Sequence, residues 1–366
     1  MPLSHRLHSL EIVIRRNALD ALLVTNLSNV RYLCGFSGSS GALAYARGRW
    51  AFFTDGRYTE QAKHQVQNAL VHIFSGAPAV GAARWSAERL AKRKLIRIGI
   101  EADHVTLAGE RRIASELRSV FGRSAYRVIG TSGIIEDLRI RKDPTEVNLI
   151  RRAVQLASSI FSGLVKTINP SISENDVAAT LEYMTRCAGA EKMSFDSIVA
   201  SGANSALPHA RPTRRKIGRG FVVLDYGVIL AGYCSDMTRT VWVGRESRQA
   251  RAIYSAVLDA QLAAIAAVRP GVEAQAVDAV ARGVLRKHQL DKYFTHSLGH
   301  GVGLEIHEAP RLAKGQTQKL EPGMVVTIEP GVYIPGKGGV RIEDMVLVTN
   351  TGCEVLTPTP KELLVI

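Results

Sequence analysis

The stretch FVVLDYGVILAGYCSDMTRT, residues 221–240, sets the tightest condition on how this chain can fold. An apolar run ends in Asp225, a turn-like segment follows, and a second arm carries Asp236. Folded as an antiparallel hairpin turning about Leu230 and Ala231, the two arms put the aspartates directly opposite one another, with Cβ atoms about 4.5–5.5 Å apart. Two carboxylates that close do not both stay ionised in a buried place unless a cation neutralises them. Two unrelated surface aspartates at strand ends would escape that condition, so the choice falls to the other segments of the chain.

Three later segments bear on it. In THSLGHGVGLEIHE, residues 295–308, glycines stand beside His296, His300 and His307, a pattern that suits an irregular, close-packed backbone and not a helix. In EPGMVVTIEPG, residues 321–331, two Pro-Gly turns bracket a short apolar strand that ends at Glu329. GGVRIEDMVLV, residues 338–348, reads as one strand that puts Arg341 and Glu343 on a single face. Asp225, Asp236, His300, Glu329 and Glu343 are thus all expected in buried segments. Burying four carboxylates without cations costs several kcal/mol each. Two divalent ions would offset the four charges, and shared carboxylates hold such pairs about 3.5–4 Å apart. Four oxygen donors and one imidazole suit Mn²⁺, with Co²⁺, Zn²⁺ or Fe²⁺ as alternatives.

A chain of 366 residues is expected to form two domains. Residues 1–135 alternate helical patterns with apolar strands at 21–25, 42–46, 51–54, 70–74 and 96–100, which is α/β material. TDGRY, residues 54–58, reads as a helix-capping turn, GFSGSSG (35–41) as a flexible loop, and no phosphate-binding loop is present. At the junction, Asp143 is a good N-cap, Pro144 fits the first helical position and Glu146 can complete a capping box, so a helix is expected from 144 to about 168. The second domain, 136–366, continues with a helix capped by Ser173 and running to about 188. A Gly- and Pro-containing loop then presents His209, and helices follow near 247–269 and 274–288.

Composition excludes several classes. The four cysteines, Cys34, Cys187, Cys234 and Cys353, form no CxxC pair and are expected to be buried thiols of a reducing, cytoplasmic compartment. The first sixteen residues interrupt their apolar positions with charge, unlike a signal peptide. No apolar run approaches 18 residues, so no membrane span is expected. The formal charge is +14, but the basic residues are dispersed, with the densest runs at 92–94 and 211–219, and aromatic residues make up only 6%. A solvated basic surface is therefore expected ahead of a nucleic-acid partner.

The motifs VVLDYGVILAGYCSDMTRT, THSLGHGVGLEIHEAP, PGMVVTIEPGVY and GGVRIEDMVLVT resemble those of the creatinase/aminopeptidase P/prolidase family of "pita-bread" metallopeptidases, and the likeness extends over nearly the whole chain. FTDGRYTEQA resembles the bacterial aminopeptidase P-like members. The resemblance implies an N-terminal creatinase/prolidase-type α/β domain (1–135), a pita-bread catalytic domain of α+β type (136–366) and a homodimer. It implies that Asp225, Asp236, His300, Glu329 and Glu343 are the metal ligands. His209, His296 and His307 would line the substrate site, and Arg341 would support the ligand shell. In the mechanism it suggests, Asp225 chelates one ion, His300 and Glu329 serve the other, and Asp236 and Glu343 bridge. Glu329 would move the proton of the attacking water, His209 and His307 would stabilise the oxyanion, and His296 would orient the shell. The activity implied is an Xaa-Pro aminopeptidase; the alternative is an Xaa-Pro dipeptidase, for which Arg311 or the 211–219 loop would hold the free carboxylate. A non-catalytic binding protein on the same fold, or a peptidase indifferent to proline, are the competing readings.

Overall fold

The computed structural model describes residues 3–90, 95–122 and 125–366, so the basic run at 92–94 lies outside the described residues. The chain forms two compact units, Met1–Arg139 and Ile140–Ile366.

In the first unit the strands are β1 (Ala21–Val24), β2 (Ala42–Ala46), β3 (Arg49–Thr54), β4 (Leu70–Ile73), β5 (Leu95–Glu101) and β6 (Ala125–Thr131). The helices are α1 (Leu3–Arg16), α2 (Leu27–Cys34), α3 (Thr59–Gln65), α4 (Pro78–Leu90), α5 (Leu107–Phe121) and the short α6 (Glu136–Arg139). The strands form one mixed sheet in the order β4-β3-β2-β1-β5-β6. Leu23, Phe53, Ile98 and Leu117 are buried in its core. Asp55 caps the single 3₁₀ turn Gly56–Tyr58 and pairs with Arg57 (Oδ1 to Nε 2.8 Å), so TDGRY is the local capping turn that its residues suggest.

The second unit begins with α7 (Pro144–Leu164). Its cap is the expected one: Asp143 accepts from the Thr145 and Glu146 amides, and Glu146 reaches back to the Asp143 amide. The helix stops at Leu164, and a 3₁₀ turn, Val165–Thr167, carries the chain on. α8 (Glu174–Cys187) has a second capping box, between Ser173 and Asp176. Next come β7 (Lys192–Met193), β8 (Ile198–Ser201), β9 (Gly220–Tyr226), β10 (Val228–Leu230), β11 (Tyr233–Cys234) and β12 (Met237–Val243). α9 (Arg248–Ala267) and α10 (Ala274–Lys287) lead to β13 (Gly299–Gly301), β14 (Glu308–Leu312), β15 (Val325–Ile328), β16 (Gly331–Ile334), β17 (Gly338–Arg341), β18 (Asp344–Val348) and β19 (Cys353–Val355).

Each helix pair covers one sheet. Val177 and Leu181 of α8 and Ile160 and Leu164 of α7 pack on Val222, Leu224 and Val241 of the β12-β9-β8 sheet. Val257, Ala264, Val277 and Leu285 pack on Val326, Ile328 and Val346 of the β14-β13-β15-β18-β19 sheet. Burying each Val or Leu stabilises the fold by about 1.5–3 kcal/mol. Because strand side chains alternate, Asp225 of β9 falls on the face turned away from the helices that Val222 and Leu224 meet, while Glu329 stands just beyond the end of β15 and Glu343 just before β18.

Several expectations are corrected. The hairpin turns at Ala231-Gly232, both at positive φ (48° and 84°), as a two-residue hairpin turn requires, and not at Leu230 and Ala231. A left-handed backbone costs glycine little and leucine much, which moves the turn. Asp225 therefore pairs with Thr238 instead of Asp236. The 338–348 segment is two strands, β17 and β18, broken at Ile342 and Glu343 and belonging to different sheets. Of the two Pro-Gly pairs, only Pro322-Gly323 has a glycine at positive φ (88°); Gly331 opens β16. Cys34 and Cys234 are buried free thiols, but Cys187 is exposed and Cys353 only half-buried. Among the described helices, α9 is long and apolar enough to cross a membrane by length and composition alone. Its Tyr254, Val257, Ala260 and Ala264 are instead packed in the core.

Candidate metal centre

The site is built by short strands whose backbones come unusually close. A Cβ on Gly299 would lie 2.0 Å from the Thr327 carbonyl oxygen, and one on Gly301 would lie 2.1 Å from that of Ala309. Only glycine lets β13 thread between β15 and β14 at these points, and that threading sets His300 between them. The His300 amide donates to Thr327 Oγ1 (3.1 Å) and Nδ1–H donates to the Gly301 carbonyl (3.0 Å). That bond fixes the tautomer and leaves Nε2 with a free lone pair. Nε2 lies 3.6 Å from Asp236 Oδ2 and 3.5 Å from Glu329 Oε1. Asp236, His300 and Glu343 each offer a donor atom within 4.8 Å of the others.

Arg341 ties the rest together. Its Nη2 donates to Asp225 Oδ2 (2.5 Å), its Nε to Thr238 Oγ1 (3.1 Å), and its Nη1 to Tyr333 Oη (2.5 Å) and the Pro208 carbonyl (3.1 Å). The Thr238 hydroxyl donates in turn to Glu343 Oε2 (2.7 Å). The backbone of Glu343 is held on both sides, its amide donating to the Thr238 carbonyl and its carbonyl accepting from Arg239 Nη1 (2.6 Å). The five residues singled out from the sequence therefore line one cleft of about 1130 Å³, together with His209, His296, His307, Arg211, Arg311 and Arg341.

The electrostatics are those of a site short of positive charge. Burial, reinforced by Asp225 and Glu329, pushes the Asp236 carboxyl well above the usual carboxylate range. Burial, then Asp236 and Glu329, does the same to Glu343. Burial raises Glu329 to about 8 even though Arg341 pulls it down. Asp225 Oδ1 and Asp236 Oδ1 are buried and accept no hydrogen bond. Buried oxygens without a donor cost free energy that a divalent cation would recover. Four carboxylates, a correctly tautomerised imidazole and these two orphaned oxygens fit divalent metal.

The histidines divide into two kinds. His307 is exposed to the cleft, its ring centroid 4.4 Å from that of His300, and burial and His209 lower its pKa. His209 sits on the loop after β8, near enough for its charge to bear on both His296 and His307. His296 lines the cleft with both ring nitrogens already bonded. Its Nδ1–H donates to the Ser297 carbonyl, and its Nε2 accepts from Tyr333 Oη (2.9 Å), which in turn accepts from Arg341. With both nitrogens used and its pKa pushed down to about 3, chiefly by burial, His296 is an anchor for Tyr333 and Arg341. Sequence reading missed Tyr333, Thr238 and Thr327 as members of the site. The available signal was their place in the strands: Thr238 is a hydroxyl two residues beyond Asp236, and Thr327 is a hydroxyl two residues before Glu329 in an otherwise apolar strand.

Residues 148–350 match the model of metallopeptidase family M24, and residues 6–141 match the creatinase/prolidase N-terminal domain. An Xaa-Pro dipeptidase of Pyrococcus horikoshii is 36% identical over 351 residues, 95% of each chain. The solved structure of an Xaa-Pro dipeptidase from Bacillus anthracis superposes with a TM-score of 0.91 at 38% identity, covering 100% of both chains. That of an X-Pro aminopeptidase from Thermotoga maritima gives a TM-score of 0.86 at 35% identity, covering 95% of this chain and 98% of that one.

Proposed function

The chain belongs to metallopeptidase family M24, hydrolases that work with divalent metal ions, and from that premise we propose that it cleaves the bond between an N-terminal residue and proline. The observation that carries the reading is the gathering of Asp225, Asp236, His300, Glu329 and Glu343 in the lining of one cleft large enough for a short peptide.

Asp225, Asp236, His300, Glu329 and Glu343 would together hold two ions. Bound there, the cations supply Lewis acidity and bring the ionisation of water toward neutral pH. Glu329 takes the proton of the attacking water and delivers it to the prolyl nitrogen. That nitrogen carries no hydrogen in the peptide, so it leaves only once protonated. His209 and His307 donate to the oxyanion, a role worth about 3–4 kcal/mol per donor. The lowered pKa of His307 keeps it neutral, and its ring N–H is the donor. Manganese is the ion that four hard oxygen donors and one imidazole favour.

Of the two proline-directed activities, the dipeptidase draws support from Arg311 and Arg211, two guanidinium groups in the cleft wall able to pair with a free carboxylate. It also draws support from the names of the Pyrococcus and Bacillus relatives. The aminopeptidase draws support from the Thermotoga neighbour and from a cleft roomier than a dipeptide needs. The TDGRY turn lends it none, since Asp55 and Arg57 satisfy one another locally. Xaa-Pro dipeptides compared with Xaa-Pro-Xaa tripeptides, with manganese added, decide the matter: dipeptide-only cleavage means the first activity, release of the first residue from tripeptides the second. Cleavage of neither overturns the proposal. A homodimer, and a cytoplasmic location on the strength of the free thiols, complete the proposed picture.

A further inference from the structure

We propose that Glu174, at the first turn of α8, is a positioning residue that clamps the His209 loop at both ends and so sets where His209 meets the substrate; this rests on the role given to His209 above. Glu174 is 0% exposed. Its Oε1 accepts from the Ser201 amide (2.7 Å) and Ser201 Oγ (2.9 Å), where the chain leaves β8 to enter the loop. Its Oε2 accepts from Asn204 Nδ2 (2.9 Å), and from the Thr213 amide (3.0 Å) and Thr213 Oγ1 (2.7 Å), where the loop returns. One carboxylate thus fills its roughly four acceptor positions with donors from the entry and the exit of a single loop. All five donors are neutral N–H and O–H groups, so the Glu174 side chain acts as an acceptor at every one of these contacts.

The first turn of α8 adds to the clamp. The Glu174 amide donates to the Arg215 carbonyl (3.0 Å) and the Asn175 amide to the Thr213 carbonyl (3.0 Å). Helix amides without an intrahelical partner are therefore spent on the exit of the loop. Between the anchors, Ala210 is buried against Ile198 and Ala200, and the Pro208 carbonyl takes Arg341 Nη1. The His209 side chain stays exposed at the cleft wall between these fixed points. None of the five donors to Glu174 belongs to a candidate ligand, so the clamp can be loosened while those side chains keep their own bonds.

Glu174→Gln separates this role from a structural one. The amide keeps the shape but presents an NH₂ to donors on one side, so one end of the loop is released. The expected result is unchanged metal content, unchanged KM and a kcat reduced by up to about a hundredfold, as for a misplaced catalytic group. In a His209→Ala background the same change should alter kcat less than about twofold, because residues acting as a unit are not additive. Equal losses in both backgrounds overturn the proposal. Trypsin supplies a readout that needs no activity: cleavage after Arg214 and Arg215 should become at least about tenfold faster in Glu174→Gln, since susceptibility tracks local opening. An unchanged nicking rate overturns the clamp whether or not the protein cleaves prolyl peptides, whereas absence of prolyl cleavage by the unaltered protein strikes only the proposed function. If Glu174→Gln does not fold, Thr213→Val and Ser201→Ala each remove one donor. Both should show smaller losses of the same non-additive kind, and additive losses would again overturn it.

Discussion

Stripping the metal should make the protein's stability fall with rising pH, and restoring metal should abolish that fall. Without cations, the Glu329 carboxyl is raised by burial from an ordinary 4.5 to about 8, and Asp236 and Glu343 move in the same direction. Between pH 4.5 and 8, folded Glu329 keeps its proton while the unfolded chain has lost it. The folded state then binds more protons, so stability declines as pH rises through this window and is greatest below it. Every tenfold change in proton affinity is worth about 1.4 kcal/mol, which puts the ceiling for Glu329 near 5 kcal/mol. Its side chain, in the cleft lining, keeps 16% of its surface exposed, and water there reduces the figure to about 2–4 kcal/mol. For a unit of this size that corresponds to about 4–16 °C in Tm. Bound cations replace the protons, so their stabilising effect should grow over the same range. Thermal melts of chelated and manganese-loaded protein at about pH 5.5, 6.5, 7.5 and 8.5 span the window and measure it. A gap between the two curves that stays constant, or narrows, with pH would refute the electrostatic account of the site.

Other expectations are more local. Asp225→Asn should lower metal content measured by elemental analysis, because the side chain loses its charge and Arg341 an anionic partner; a fully loaded, fully active variant would remove Asp225 from the ligand set. His209→Ala should leave metal bound and reduce kcat by about 10²–10³-fold, the loss seen when one oxyanion donor is removed; loss of metal would show the role to be misassigned. Arg239→Met should destabilise the second unit by about 3–5 kcal/mol in denaturant melts, since it strands buried Asp344 and frees the Glu343 carbonyl. A change under about 1 kcal/mol would mean that Lys361 and Gln261 compensate for Asp344 unaided.

The sequence by itself determined which residues are candidate donors and what chemistry they offer. Asp225, Asp236, His300, Glu329 and Glu343 stand in segments too apolar or too glycine-rich to lie on the surface, and that is a property of local composition. The caps of α7 and α8 were legible for the same reason, because an N-cap is satisfied by residues within one turn. Tertiary structure alone decided register and partnership. Whether Asp225 faces Asp236 or Thr238 depends on which two residues take the positive-φ turn, a choice of one residue in the sequence that changes every pairing along the arms. Arg341 meeting Asp225, Tyr333 closing off His296, and Glu174 reaching both ends of the His209 loop are contacts between segments far apart in the chain. No periodicity records them, since each is fixed only when the two sheets and their helix pairs have packed.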